Sequence, residues 1–200
     1  MGDSYDGFHQ GTTAVNIQGQ KDVTLTGATY GVTVNRQVES GATANLTIAS
    51  EGAVSIAGDT AAVRFDAVQN SAEMNGNITG VSIELKSSEG TGLQATNASM
   101  ALNSTDVIID GATGIKASNS NLSVGLADEA LSLKVTGNVE AESSTLSLQG
   151  SDNTVVLHDS TTSIGTLKTA EKSETTFILD TVGTEDAPVL AAKAVEGSDN

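Results

Sequence analysis

Short triplets of apolar, polar and apolar residues recur along almost the whole chain. They begin with Val15-Asn16-Ile17, Val23-Thr24-Leu25, Val32-Thr33-Val34, Leu46-Thr47-Ile48, Val54-Ser55-Ile56 and Val63-Arg64-Phe65. They continue through Val81-Ser82-Ile83, Met100-Ala101-Leu102, Leu122-Ser123-Val124, Leu131-Ser132-Leu133, Leu146-Ser147-Leu148 and Val155-Val156-Leu157. Such alternation sends one side chain inward and the next outward, as a half-buried strand requires. Between residues 93 and 164 the leading apolar residues fall at Leu93, Met100, Val107, Ile115, Leu122, Leu131, Val139, Leu146, Val155 and Ile164. Every third start recurs after 22, 24 and 25 residues (93 to 115, 115 to 139, 139 to 164). Three strands and three turns therefore make one unit, of a size within the period range of solenoids.

Direct similarity supports this register. Thr91-Gly-Leu-Gln-Ala-Thr-Asn97 aligns with Thr113-Gly-Ile-Lys-Ala-Ser-Asn119 at an offset of 22. Upstream the same side begins at Val32 and Val63, and the longer intervals of 31 and 30 residues place extra loop around Asn35 to Asn45 and Asp66 to Gly76. Those loops are expected to project. The pattern predicts an all-β chain folded as a right-handed parallel β-helix, a three-sided solenoid of roughly seven or eight coils and about 35 Å in length, from a strand spacing of about 4.8 Å. Residues 1–14 read as an N-terminal cap or tail, 15–180 as the coils and 181–200 as a terminal coil or cap. Unpaired strand edges at the ends recruit other chains. Tyr5, Phe8 and His9 at one end, and the segment containing Pro188 at the other, are the expected covers.

Composition fits a thin body. One proline, no cysteine, 21 glycines and 2 % aromatics describe short strands and tight turns around an aliphatic core. A formal charge of −16, with basic residues scattered from Lys21 to Lys193, opposes binding to nucleic acid or to an anionic membrane. Nothing approaches the ~20 apolar residues of a spanning helix. The acidic start Met1-Gly-Asp-Ser-Tyr-Asp6 does not read as a signal peptide. An exported form is expected to have lost a leader not present in this chain.

The strand entries Asn45-Leu46-Thr47 and Asn121-Leu122-Ser123, the units Val15 to Gly19 and Val54 to Gly58, and the run Thr176-Phe-Ile-Leu-Asp-Thr-Val-Gly-Thr followed by Ala187-Pro-Val-Leu carry a resemblance. From about Val15 onward the chain resembles the pertactin-like passenger domains of bacterial autotransporters. The resemblance implies display on a Gram-negative surface and a separate transmembrane barrel downstream.

Parallel β-helices also carry polysaccharide lyases and hydrolases, which need a basic residue near calcium or grouped carboxylates. Arg36 and Arg64 are the only arginines. Asp106 and Asp110 flank Val107-Ile108-Ile109 and read as turn acids. His158-Asp159-Ser160 holds the residue types of a triad, but sequence neighbours rarely converge and no nucleophile elbow accompanies them. With His9 the only other histidine and no cysteine, a zinc site of the His or Cys kind lacks ligands. Asp152-Asn153 and Asp159 offer oxygen donors without a calcium-loop pattern. Five Asn-x-Ser/Thr sequons, at Asn45, Asn77, Asn97, Asn103 and Asn121, read as turn asparagines before Ser- or Thr-bearing strands. Asn97 and Asn119 are expected to stack their amides in a ladder that fixes coil register.

The expected function is an extracellular structural and adhesive rod, a monomer that presents loops to host-cell or matrix glycans or proteins, or to sister bacteria. No catalytic, cofactor-binding or metal residue is assigned and no cofactor is expected. A carbohydrate-active β-helix enzyme is the alternative. A trimeric adhesin head would need a shorter left-handed repeat and a heptad stalk, neither of which the sequence offers.

Overall fold

The computed structural model describes residues 12–36, 43–67, 73–180 and 189–197. These form a single curled sheet of 17 strands with parallel pairing between neighbouring coils and no helix among the described residues. The pairings sort the strands into three rows. In the first row, β1 (Thr12–Gly19) pairs with β4 (Thr43–Ser50), followed by β7 (Glu73–Thr79), β10 (Ser99–Asn103) and β12 (Asn121–Val124). In the second, β2 (Val23–Gly27) leads to β5 (Val54–Gly58), β8 (Ser82–Ser87) and the start of β11 (Asp106–Ser118). In the third, β3 (Tyr30–Arg36) leads to β6 (Ala61–Ala67), β9 (Thr91–Thr96) and the end of β11.

Later coils turn corners without leaving strand geometry. The long β13 (Ala130–Leu148) serves all three rows in succession, pairing with β14 (Asp152–His158) in the second and with the two halves of β15 (Thr162–Thr169) in the third and first. β16 (Glu174–Leu179) and β17 (Leu190–Glu196) close the described stack. The first row thus holds eight strand segments (β1, β4, β7, β10, β12, β13, β15, β17) and the second seven (β2, β5, β8, β11, β13, β14, β16).

Alternation in the sequence becomes columns in the core. Val23, Val54, Ile83, Val107, Leu133 and Val155 stack in register, as do Ile48, Ile78, Leu102, Val124 and Leu148. All of them are buried. Each such aliphatic side chain contributes about 1.5–3 kcal/mol when removed from water, and one coil alone could not bury them. Large residues sit beside small ones. Phe65 lies between Val34 and Ala95, and Met100 occupies the space left by Gly76, where an added Cβ would fall 2.0 Å from the Met100 sulfur. Corners are closed by buried serines whose hydroxyls donate to backbone carbonyls: Ser87 to Asp59 at 2.7 Å, Ser104 to Val81 at 2.9 Å and Ser120 to Ser118 at 2.8 Å. At the corner inside β13, Gly137 has φ +87°, and a Cβ there would lie 2.0 Å from the Gly111 carbonyl oxygen, so both conformation and space require glycine.

The expected register holds from Val32 through Val63, Leu93 and Ile115 to Val139. It then shifts. Val139 pairs with Thr162 and Ala141 with Ile164, so the interval there is 23 residues rather than 25 (139 to 162); the inward position facing Val139 is a buried threonine, and Ile164 is the next inward residue. Val81 also departs from its triplet: it sits in a turn and is 67 % exposed, while Ile83 and Leu85 point inward. Of the stretches expected to project as loops, Asn35 and Arg36 end β3, residues 43–45 open β4, Asp66 and Ala67 end β6, and residues 73–76 lie in β7, where Asn75 pairs with Asn45, which leaves the segments 37–42 and 68–72. Those segments, the segment with Tyr5, Phe8 and His9, and the one with Pro188 lie outside the described residues.

Candidate functional site

The three rows differ in what they turn outward. The second carries Glu84, Lys86, Asp106, Asp110, Lys134, Asp152 and Glu174. The third carries Arg64, Asp66, Lys116 and Glu140. The first is different. Its outward register starting at Ala14 runs through Asn45, Asn75, Ser99, Asn121, Thr145 and Thr166, the next from Asn16 through Thr47, Asn77, Ala101, Ser123 and Ser147, and the third from Gln18 through Ala49 and Thr79 to Asn103. The first charge in these registers is Lys168, which meets Glu196 at 2.6 Å; Glu73, paired with Thr43, lies outside them. Side chains on this face bond to one another. The Asn103 amide donates to Asn77 Oδ1 at 2.6 Å and to Thr79 Oγ1 at 3.3 Å, the Thr79 hydroxyl donates to Asn77 at 3.1 Å, and Asn75 donates to Asn45 at 3.4 Å.

These are the asparagine ladders of the chain, and they fall on residues other than those the sequence suggested. Asn97 and Asn119 do share a role, since both adopt left-handed backbone at the same corner, with φ 51° and 49°. Their amides are not paired. Asn97 Nδ2 donates to the Ala67 carbonyl at 2.8 Å, and the Asn119 backbone N–H donates to Ser143 Oγ at 3.3 Å. Four of the five sequon asparagines (Asn45, Asn77, Asn103, Asn121) lie on the uncharged face; for Asn45, Asn77 and Asn121, strand alternation points the Ser or Thr two residues on outward as well.

A second cluster stands at the end of β14. His158 Nδ1 bonds to Asp180 Oδ2, His158 Nε2 lies 3.5 Å from Asp159 Oδ2, and the Asp159 N–H donates to Asp180 Oδ1 at 3.1 Å. One imidazole and two carboxylates form a donor set suited to a first-row divalent cation. The single hydrogen bond between His158 and Asp180, with the one from the Asp159 N–H, already holds Asp180 against the turn without an ion. Ser160 takes no part in it: it is buried on the inner side of the turn, and its hydroxyl bonds to Thr162 Oγ1 at 3.1 Å. The three triad residue types therefore do not converge. Asp152 and Asp159 sit at opposite ends of β14, and Asn153 points into the core, so they do not form a common oxygen cage.

Asp106 and Asp110 lie on one face of the strand with Ile108 between them, which separates their Cα atoms by about 13 Å at strand rise. Paired glycosidase carboxyl groups stand no more than about 9.5 Å apart, so these two side chains would have to lean toward each other across Ile108 to reach that range. Asp110 is moreover 3.7 Å from Lys86. On the third row the Arg64 Nε donates to Asp66 at 2.6 Å and its Nη1 to the Tyr30 hydroxyl at 2.8 Å, while Gln94 donates to Asp66 at 3.1 Å. The hydrogen bond that Arg64 donates to Asp66 raises the Arg64 pKa above its ordinary value, and burial opposes that rise. Arg64 is thus a fixed cation held by its own neighbours. Sequence reasoning did not single out this group, whose members lie up to 64 positions apart (30 to 94) and meet only through coil stacking.

No family model, no curated protein and no solved structure matches the chain.

Proposed function

We propose that the chain is a right-handed, three-sided parallel β-helix that works as an extracellular structural and adhesive rod, of the kind found in autotransporter passengers on Gram-negative surfaces, and not as an enzyme. The observation that carries this reading is the parallel pairing of each early strand with the strand three elements later, which gives one continuous aliphatic core along a single direction. Crossovers between parallel strands of a sheet are right-handed in about 98 % of cases, which supplies the handedness. A rod built this way shares its stability among coils and leaves three long faces and the corner loops free for contact. A polysaccharide lyase or hydrolase is the competing reading. The spacing of Asp106 and Asp110 and the lysine beside Asp110 weigh against it.

Attachment of the purified chain to host cells and to matrix-coated surfaces tests the reading, with residues 37–42 and 68–72 shortened in a second form. Attachment that weakens in the shortened form supports an adhesive rod with projecting loops. Turnover of an acidic polysaccharide in calcium buffer, lost on Asp106→Ala, would establish the enzyme instead.

A further inference from the structure

We propose that the uncharged face of the first row binds a neutral, hydroxyl-rich polysaccharide lying along the rod. The proposal deepens the adhesive reading by naming the ligand class and the face that takes it. Charge makes the first selection. In a chain of formal charge −16, this face keeps two outward registers free of charge from β1 to the end of β13 and a third from β1 to β10, while the second and third rows carry both acids and bases. Those registers offer no cation to a phosphate, sulfate or uronate, and no carboxylate to a cationic ligand. What they offer are amides and hydroxyls, each able to donate and to accept, and so matched to sugar hydroxyls, which do both.

Geometry makes the second selection. The register Asn45, Asn75, Ser99, Asn121, Thr145 and Thr166 presents a hydrogen-bonding side chain at every coil, at steps of about 4.8 Å along the axis. A linear polymer meets equivalent partners again and again, so weak single contacts add through multivalency even without aromatic stacking platforms. The Asn77, Thr79 and Asn103 bonds already hold those side chains in place, which lowers the ordering cost of binding. A second copy of the chain is the less suitable occupant, because two such faces brought together would also bring together the acids of the flanking rows.

The test uses the whole chain and two double variants of equal net charge: Asn77→Asp with Asn121→Asp on this face, and Ser132→Asp with Thr176→Asp on the second row. Aspartate at 77 keeps the oxygen that accepts from Asn103 and Thr79, and circular dichroism checks that all three proteins keep the same fold. Retention is measured on cellulose, chitin and mannan as neutral polymers and on alginate as a polyanion. The expected result is retention of the parent chain and the second-row variant on at least one neutral polymer, at least tenfold weaker retention of N77D/N121D, and none on alginate. The proposal is overturned if the parent chain is retained on no neutral polymer, or if both variants weaken equally. It is also overturned if N77D/N121D instead abolishes self-association seen by sedimentation, which would make the face a contact between copies. Cell attachment separates the two levels: cells bound equally by parent and N77D/N121D would remove the face and leave the adhesive rod standing, whereas a parent chain that binds no cell removes the rod reading itself.

Discussion

The side-chain amide of Asn97 donates to the carbonyl oxygen of Ala67 at 2.8 Å, so the corner after β9 is tied to the end of β6, one coil earlier. Asn97 also sits at φ 51°, where a residue with a Cβ is strained and Asn or Gly is favoured. Asn119 repeats the backbone conformation at φ 49° with an exposed side chain. Substitution by alanine should therefore cost about 1 kcal/mol or more at either site through the backbone alone. Glycine separates the two effects. Asn119→Gly should change stability by only a few tenths of a kcal/mol, and Asn97→Gly should lose about 1 kcal/mol more, the net worth of a typical hydrogen bond. Urea unfolding midpoints of the four single variants check the order, and equal midpoints for the two glycine variants would show that the bond to Ala67 contributes nothing.

Gly76 and Met100 share one space in the inward column that runs from Leu46 to Leu122. An added Cβ at Gly76 would meet the Met100 sulfur at 2.0 Å and its terminal methyl at 2.8 Å, both atoms of a flexible side chain. Gly76→Ala should cost about 1–3 kcal/mol by overpacking, and Met100→Ala about 2–5 kcal/mol by leaving a cavity. The double variant should cost less than the sum, since each change relieves the other. Additive losses in a double-mutant cycle would mean that the two side chains do not compete for volume.

Much of this architecture could be read from residue order, because a strand row needs only aliphatics at every second position and a return after each coil. The columns through Val54, Ile83, Val107 and Leu133, and the alignment of Thr91 to Asn97 with Thr113 to Asn119, rest on such local rules. Val81 misled because apolar identity says nothing about which side of a corner a residue falls on. Ile164 misled because the inward position that faces Val139 is Thr162, a buried polar residue that an apolar pattern passes over in favour of the next inward residue two positions on. The uncharged face escaped notice for another reason: it appears only when every third strand is viewed together, with residues such as Asn45, Asn75 and Asn121 far apart in the chain. The group of Tyr30, Arg64, Asp66 and Gln94 is hidden in the same way.

That group gives a graded expectation. Asp66 is buried, and accepts from Arg64 at 2.6 Å and from Gln94 at 3.1 Å, while Arg64 keeps a partly exposed flank and a second partner in the Tyr30 hydroxyl. Asp66→Ala should cost about 1–3 kcal/mol because it strands two donors. Arg64→Met should cost about as much or more, since it leaves a buried carboxylate with only Gln94 to meet it. The pair Arg64→Met with Asp66→Leu should recover a substantial part of the loss, because an apolar pair of similar volume escapes the desolvation penalty. Thermal melts of the three proteins decide it, and a double variant as unstable as the sum of its parts would show that the ion pair is needed for the fold at this corner.

Asn153 carries the sharpest expectation about pH. It is an asparagine pointing into the core, 0 % exposed, stacked between Leu131 and Thr175. Its Nδ2 donates to the Gly150 carbonyl and to Thr175 Oγ1, both at 3.1 Å, whereas its Oδ1 is buried with no partner among the described residues. The Gly150 carbonyl can only accept, and the Thr175 hydroxyl is the one group at the site able to turn round and donate. Asn153→Asp would place a buried carboxyl whose protonated form can donate to the Gly150 carbonyl, while its ionised form would have only the Thr175 hydroxyl to meet it. Its folded pKa would then lie above the unfolded value of about 3.9. The sign follows from linkage: a carboxyl with a raised folded pKa stabilises the fold least when ionised, so the variant should be destabilised by several kcal/mol at pH 7 and should recover as pH falls toward 4. Asn153→Leu removes the unpartnered oxygen but leaves the Gly150 carbonyl short of a donor, and its deficit should be smaller and independent of pH. Unfolding of the two variants, each compared with the parent chain at pH 7 and pH 4.5, separates these cases. A deficit of Asn153→Asp that does not shrink on acidification would show that water or a rearranged turn solvates the carboxylate, and that this position is not enclosed as the stacked coils place it.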